Sequence, residues 1–372
     1  MGLKIFSSII KPGEPYTDHI QKVLGAISTH RVCGIVCCGT ESPVEYHDLL
    51  SDLKSAIYST LGTPIPITLI PQYLLPNGGI SLEIYALDDH AEIEIGEHDG
   101  VCYGLIRNDS SSMLFVEGIP SSDFTASVQE QSREVFDKFN NILSLHGFQV
   151  DDIVRQWNYI GGIVASRKGK QNYQEFNDAR SLFYGGGTWC NGYPAATGIG
   201  TEGEGIIVGG IAFKRSATGS KGIYPINNPL QIAAHIYSKQ VLIDNAVGAI
   251  KSTPKFERAK LIETDSGVYC FVSGTAAIRG EQSVDATSAR QQTCLTIENI
   301  EHLVAQENLT RHGCAPHDLR IAQLQVFIKN AEDYHEVKAV VDRSYPQLAV
   351  VYSMADVCRE ELLVEIEGIL TT

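Results

Sequence analysis

The sequence predicts an α+β fold in which one sheet-and-helix unit is traced twice. Strand-like segments alternate with helical runs of about 10 to 15 residues, the pattern of sheets covered by helices on one side. Two long segments then read alike, element for element. Finally, the chain closes on Val364-Glu365-Ile366-Glu367, a period-two strand that sets two acids on one face and two aliphatics on the other.

The first of the two segments begins Leu114-Phe115-Val116-Glu117-Gly118. It continues through a helical run at 136–143, then Asp152-Ile153-Val154, Asn172-Tyr173-Gln174-Glu175-Phe176 and Tyr193-Pro194. The second begins Cys270-Phe271-Val272-Ser273-Gly274. It continues through 295–300, Asp318-Leu319, Asp333-Tyr334-His335-Glu336-Val337 and Tyr345-Pro346. Both give strand, glycine turn, helix, strand, helix opened by an aromatic, strand. A repeat this long indicates a duplicated domain rather than a solenoid.

The first hundred residues stand outside the repeat. Residues 45–61 read as a helix with apolar Leu49, Leu50, Leu53, Ile57 and Leu61, and Pro64, Pro66, Pro71 and Pro76 break up the stretch after it. A glycine-rich stretch at 185–210 and the turn Asn227-Asn228-Pro229 bracket the main boundary. The expected division is an N-terminal domain 1–220, with the first unit at about 110–215, and a C-terminal domain 221–372.

The net charge of −15 over 372 residues argues against nucleic acid and anionic membrane as general partners. It leaves room for a small anionic substrate, because a few local cations decide that. No apolar run reaches the roughly 18 residues of a membrane span. The first residues lack a signal-peptide core and cleavage site, so a cytoplasmic location is expected.

Among nine cysteines, Cys33, Cys37 and Cys38 cluster, but only His30 is near and a second ligand pair is missing. They read as buried reduced thiols. His312, Cys314 and His317 do not make a metal site by themselves. Gly198-Ile199-Gly200-Thr201-Glu202-Gly203 matches a dinucleotide fingerprint in letters only, since a strand-like run comes next where a helix is needed. No metal and no cofactor are expected.

Two patterns carry chemistry. Glu365 and Glu367 form either a solvated strand face or a buried pair in which burial and a like charge hold one carboxyl protonated. Tyr173, Asn177 and Arg180, spaced i, i+4, i+7, share one helix face, while Phe176, Ala179 and Phe183 line another. An ordinary amphipathic helix accounts for that spacing equally well.

Ser273-Gly274, the helix carrying Asn299-Ile300 and the closing Leu363-Val364-Glu365-Ile366-Glu367 resemble the RidA/YjgF superfamily, whose fold is chorismate mutase-like. Its members form trimers with clefts between subunits and act on enamine-pyruvate compounds. A single unit is about a third of this chain. Further stretches resemble one branch, the chorismatases, chorismate-hydrolysing enzymes of secondary metabolism. These are Trp157-Asn158-Tyr159-Ile160, Tyr173-Gln174-Glu175-Phe176-Asn177-Asp178-Ala179-Arg180, Tyr193-Pro194-Ala195-Ala196, Pro254-Lys255-Phe256-Glu257-Arg258, Ser273-Gly274-Thr275-Ala276 and Ala355-Asp356-Val357-Cys358-Arg359. The match runs in order over roughly residues 110 to 370.

The resemblance implies an intramolecular pseudo-trimer, working as a monomer on chorismate without cofactor or metal. Chorismate is a dianion with an enolpyruvyl ether, opened by protonating its terminal methylene carbon. An oxocarbenium results, trapped by water or an internal hydroxyl. Pyruvate leaves with a hydroxybenzoate or a dihydroxycyclohexadiene carboxylate.

By the same resemblance Glu365 is the acid and Glu367 its neighbour. Arg180 takes a carboxylate, with Tyr173 on the same helix face. Arg258 either faces the cleft or lies on the surface, Tyr193 either donates its phenol to substrate or packs, and Tyr237 and Lys239 are further candidates for substrate contact. Cys358 either shields the cation from water or is a core thiol. The chain departs from the family at Tyr237-Ser238 and Val247-Gly248, where a Tyr-Pro step and a Tyr-Gly-Pro turn are expected. A RidA-like enamine/imine deaminase is the alternative activity, but residues 348–353 lack the arginine that such deaminases place there. A non-catalytic ligand-binding protein of the same fold is the other alternative.

Overall fold

The computed structural model describes residues 2–39, 46–88, 91–167, 169–216, 222–238, 252–284 and 288–372. The expected boundary at 220 and the candidate Lys239 lie outside the described residues.

Three sheets organise the chain. The first holds β1 (Leu3–Ile10), β2 (Arg31–Cys38), β3 (Ile67–Ile70) and β4 (Ile80–Leu87), with α1 (Tyr16–Ala26) and α2 (Tyr46–Leu61). The second holds β5 (Glu92–His98), β6 (Val101–Arg107), β7 (Ser111–Pro120), β8 (Ile153–Gly161), β11 (Ala195–Thr201) and β12 (Ile206–Arg215). Its helices are α3 (Val128–Leu145) and α4 (Asn172–Phe183), with a small hairpin of β9 (Ser166–Arg167) and β10 (Lys170–Gln171) before α4.

The third sheet holds β13 (Ile223–Ile226), β14 (Ala259–Glu263), β15 (Val268–Ala276), β18 (Arg320–Ile328), β19 (Val350–Met354) and β20 (Val364–Thr371). Its helices are α5 (Ala289–Val304), α6 (Gln306–Arg311) and α7 (Tyr334–Ser344). A second hairpin, β16 (Ile278–Arg279) with β17 (Gln282–Ser283), comes after β15.

The strand orders are β1-β4-β2-β3, β11-β8-β12-β7-β6-β5 and β13-β14-β15-β20-β18-β19. One path recurs in all three. A strand leads by a helix to a second strand, and a further helix leads to a third, parallel to the second. The chain then returns as an antiparallel strand between the first two: β4, β12 and β20.

The first hundred residues therefore take the same path, contrary to the sequence expectation. Pro64, Pro66, Pro71 and Pro76 fall in the connections on either side of β3, so they interrupt no strand. Gly118 and Gly274 are not turns either: both lie within strands, β7 and β15.

Local signals place the helices. At α3, Ser127 caps the first turn by accepting from Glu130 N, and the Glu130 carboxylate takes the Ser127 N–H, so two orphan donors are satisfied reciprocally. Ser288 does the first half of this at α5. The helices pack on the outer faces of their own sheets, as when Phe136, Phe139 and Phe176 cover the second. The inner faces meet in one shared core containing Tyr85, Phe115, Trp157, Tyr159, Phe271 and Phe327. Each such ring contributes about 1.5 to 3 kcal/mol of burial.

The sheets join in a closed cycle. Gly118 N of the second donates to Thr68 Oγ1 of the first at 2.6 Å, and Gly274 N of the third donates to Thr197 Oγ1 of the second at 3.1 Å. Leu74 of the first bridges Ser353 of the third, with Leu75 N donating to the Tyr352 carbonyl at 2.9 Å. Cys33 and Cys37 are buried thiols that burial pushes up to about 12. Among the described residues, no helix is long and apolar enough to cross a membrane.

Candidate active site

A cavity of about 600 Å³ opens between the second and third sheets. One wall is α4 and the start of β11. The other is the approach to β14, the ends of β15, and β20 with its lead-in.

Glu365 sits inside β20, paired across to Ala276 and Phe327, and its carboxyl lines the cavity while only 5% of the residue is exposed. Among the described residues no donor hydrogen-bonds to it. Burial, then the negative charge of Glu367, pushes its carboxyl up to about 8, with Arg258 and Arg155 pulling the other way. It is an acid still holding its proton at neutral pH.

Glu367 is equally buried and differently partnered. Arg155 Nη2 donates to Oε2 at 2.7 Å, and Trp157 Nε1 donates to Oε1 at 3.2 Å. Arg155 Nη2 also donates to Thr197 Oγ1 at 2.9 Å, and its Cζ lies 4.7 Å from the centre of the Trp157 ring. Both donors belong to β8, whose alternation sends Arg155, Trp157 and Tyr159 to the same face. One strand therefore carries an ion pair across the sheet junction.

The helical spacing holds in α4. Tyr173, Asn177 and Arg180 line the cavity, while Phe176 and Ala179 are buried against α3 and the sheet. Arg180 is 2% exposed and donates to Asn177 Oδ1 at 2.5 Å, and its Nε has no partner among the described residues. Burial raises the Tyr173 phenol, which stays neutral.

From the third sheet's side come Arg258, Tyr237, Cys358 and Arg359. Arg258 donates to Tyr237 Oη at 2.6 Å and to the Ile232 carbonyl at 2.8 Å, leaving its Nε unpartnered among the described residues. Arg359 is held by Ser283 Oγ at 3.0 Å and the Glu281 carbonyl at 3.1 Å. Burial, reinforced by Glu365, pushes the Cys358 thiol up to about 12. The cavity thus offers three guanidinium groups, a neutral thiol and a protonated carboxyl, with Glu360 and Glu361 also in its lining; the guanidinium groups suit an anion, and the Glu365 carboxyl can give it a proton.

Of the candidates from sequence, Glu365, Tyr173, Arg180, Arg258, Tyr237 and Cys358 come together. Tyr193 does not. It packs against Tyr184, Trp189 and His235 at 4.6 to 5.8 Å between centroids, outside the cavity lining. Its N–H donates to Glu257 Oε1 at 3.0 Å, and after Pro194 the chain enters β11 at Ala195. Sequence reasoning missed Arg155, Thr197 and Arg359. An arginine alternating with Trp157 and Tyr159 in a strand with no other charge was the available sign for the first.

The cavity's acid has two counterparts in strand register. Glu365 faces Ala276, two residues beyond Gly274; Ile207 faces Pro120, two beyond Gly118. Ile207 also faces Tyr159 and, through it, Ile199, two beyond Thr197; Ser81 faces Cys38 and, through it, Ile70, two beyond Thr68. Glu365, Ile207 and Ser81 thus hold one position in three sheets.

Comparison with known proteins places these features in company. The family described as "Chorismatase FkbO/Hyg5-like, N-terminal" matches residues 85–212, and "Endoribonuclease L-PSP" matches residues 250–371. A 3-hydroxybenzoate synthase of Streptomyces hygroscopicus is 32% identical over 77% of this chain and 81% of its own. A chorismatase of Streptomyces rapamycinicus is 30% identical over 77% of this chain and 83% of its own. A crystal structure of a chorismatase superposes with a TM-score of 0.71 at 23% identity, covering 100% of this chain and 99% of that one, so the fold is shared throughout.

Proposed function

From membership of this chain in the chorismatase family, we propose that it cleaves the enolpyruvyl ether of chorismate, with Glu365 as the proton donor. The observation that carries this reading is the buried, protonated Glu365 facing a cavity lined by Arg180, Arg258 and Arg359. A carboxyl with its proton retained near neutral pH suits general acid catalysis. The guanidinium groups suit the two carboxylates of a dianion, and each has a planar fork that takes a carboxylate two bonds at a time.

In the reaction the proton leaves the Glu365 carboxyl for the terminal methylene carbon, whose π electrons form the new C–H bond. Positive charge then rests on the ether carbon and oxygen, beside the newly formed Glu365 carboxylate. Water adding to that carbon gives a hemiketal, which collapses to pyruvate and a dihydroxycyclohexadiene carboxylate. Attack by the substrate's own ring hydroxyl on that carbon, with its proton lost, closes a cyclic ketal; one ring C–O bond then breaks as a ring proton passes to the Glu365 carboxylate, and the aromatic hemiketal so formed collapses to pyruvate and a hydroxybenzoate with no net water. Cys358, neutral and weakly polar at the cavity wall, shields the cation from water and so favours the second outcome. Tyr173 and Tyr237 position the substrate by their hydroxyls, and the single chain works as a monomer.

The test is chromatography of products after incubation with chorismate. Pyruvate and one of the two ring products are expected from the wild type, and Glu365→Gln should release pyruvate at least about a hundredfold more slowly. Wild-type rates from Glu365→Gln would end the assignment of the acid. Consumption of 2-aminoacrylate with chorismate untouched would establish the deaminase instead.

A further inference from the structure

We propose that Glu367 and Arg155 form a charge couple that sets the protonation of Glu365: Glu367 keeps the adjacent carboxyl in its acid form, and Arg155 with Trp157 holds the Glu367 carboxylate in place beside it. This rests on the reading of Glu365 as the acid. Neither Glu367 nor Arg155 lines the cavity, so they act through Glu365 as positioning residues.

The geometry separates two carboxyls that the sequence presents as equals. They lie two residues apart on one strand face, at about 7 Å. Among the described residues, every donor that reaches the pair goes to Glu367: Arg155 at 2.7 Å on one oxygen and Trp157 at 3.2 Å on the other. Two charge-assisted bonds bind Glu367 into an ion pair with Arg155. Its negative charge then stands beside a carboxyl that has none of these bonds, in surroundings too dry to screen it.

The couple is also tied to the backbone around Glu365. Arg155 Nη2 reaches Thr197 Oγ1, and the same oxygen accepts the N–H of Gly274, the residue against which the Glu365 carboxyl packs. A displacement of Arg155 would therefore reach Glu365 by charge and by position together.

Other groups face this pair. From the first sheet, Glu83 on β4 accepts the Tyr85 hydroxyl and is pushed up to about 7, mainly by burial, and the buried Cys38 thiol stands on β2. From the second, Tyr159 on β8 and Tyr173 on α4 are neutral phenols, and Arg180 is a cation on the far cavity wall. From the third, Arg258 opposes Glu367 at Glu365, and Cys358 is neutral. Glu367 raises the Glu365 carboxyl by more than Arg258 or Arg155, each taken singly, lowers it, so removal of Glu367 lowers it.

The experiment tracks the side-chain carboxyl carbon of Glu365 by NMR across pH, in protein labelled with ¹³C at glutamate carboxyls. Glu365→Gln assigns the signal, which separates it from Glu83. In Glu367→Gln the midpoint should fall by about one pH unit. The alkaline limb of pyruvate release should fall with it, whereas a purely structural role would lower the rate and move neither. If Glu367→Gln fails to fold, Arg155→Met/Glu367→Gln is measured instead, since replacing both members of a buried pair is tolerated better than removing one; a smaller fall is expected. An unmoved midpoint in either folded variant overturns the proposal. A shifted midpoint in a protein that leaves chorismate intact would uphold the couple and refute the reaction. An unmoved midpoint in an enzyme that Glu365→Gln silences would do the reverse.

Discussion

The carboxyl of Glu365 occupies the space that Gly274 leaves empty. A Cβ built at Gly274 would overlap Glu365 Oε1 and stand 2.8 Å from its carboxyl carbon. The close approach works because Gly274 sits where β15 slips register against β20, between Val272 and Thr275.

Gly274→Ala should therefore swing the carboxyl away from the cavity while the strand stays paired. We expect a loss of roughly a hundredfold in kcat, the scale of a misplacement of about 1 Å, with thermal unfolding little changed. Steady-state kinetics beside a melting curve checks it. An unchanged kcat would mean that the carboxyl has another productive position.

The elevated Glu365 carboxyl has two consequences of known sign. For catalysis, the acid form is needed, so kcat should be level below about pH 7 and fall about tenfold per unit above the value near 8. For stability, the folded state holds a proton that the unfolded chain releases near the ordinary value of 4.5. Stability contributed by this group is thus full below about 4.5, declines through the interval up to about 8, and is level above it. Chemical denaturation at pH 5 and pH 9 should show Glu365→Gln losing less stability than wild type over that span, by a few kcal/mol.

Arg180 should report on binding. Its side chain is buried, donates to Asn177, lies with Cζ 5.4 Å from the centre of the Phe176 ring, and lines the cavity with an Nε that has no partner among the described residues. Arg180→Met should lower kcat/KM by roughly a hundredfold, about 3 kcal/mol, from one lost charged contact to substrate. A rate matching wild type at all chorismate concentrations would exclude it from the carboxylate subsite.

Period and spacing made part of this site readable. The alternation of Val364-Glu365-Ile366-Glu367 put both acids on one face, and the i, i+4, i+7 spacing put Tyr173, Asn177 and Arg180 on another. Which acid faces solvent, which cavity and which partner depends on a strand more than 200 positions earlier. No local pattern encodes that, so Arg155 went unseen and the two glutamates looked alike. Tyr193 misled for a related reason: an extended residue before proline can point to either side, and the aromatic rings of Tyr184 and Trp189 decided it. The first sheet was hidden because its first strand lacks the glycine that Gly118 and Gly274 supply in the others, although its second helix, α2, does open on an aromatic, Tyr46, as α7 opens on Tyr334.

Glu365, Ile207 and Ser81 stand at one place in three sheets, and that has a bearing on how such a molecule can be altered. In a ring of identical subunits each position is spelled once and used three times, so an acid acquired for chemistry burdens every junction with a buried charge. A single chain spells each junction separately. Here the matching position carries no acid at the other two: Ile207 contributes an aliphatic wall, and Ser81 closes its hydroxyl on the Cys38 carbonyl at 3.3 Å. The residues that build the working cavity are likewise divided, with α4 lending its arginine and β20 its acid. Either side can be redesigned without copying the change elsewhere, and the remaining two junctions are open ground for strengthening the molecule.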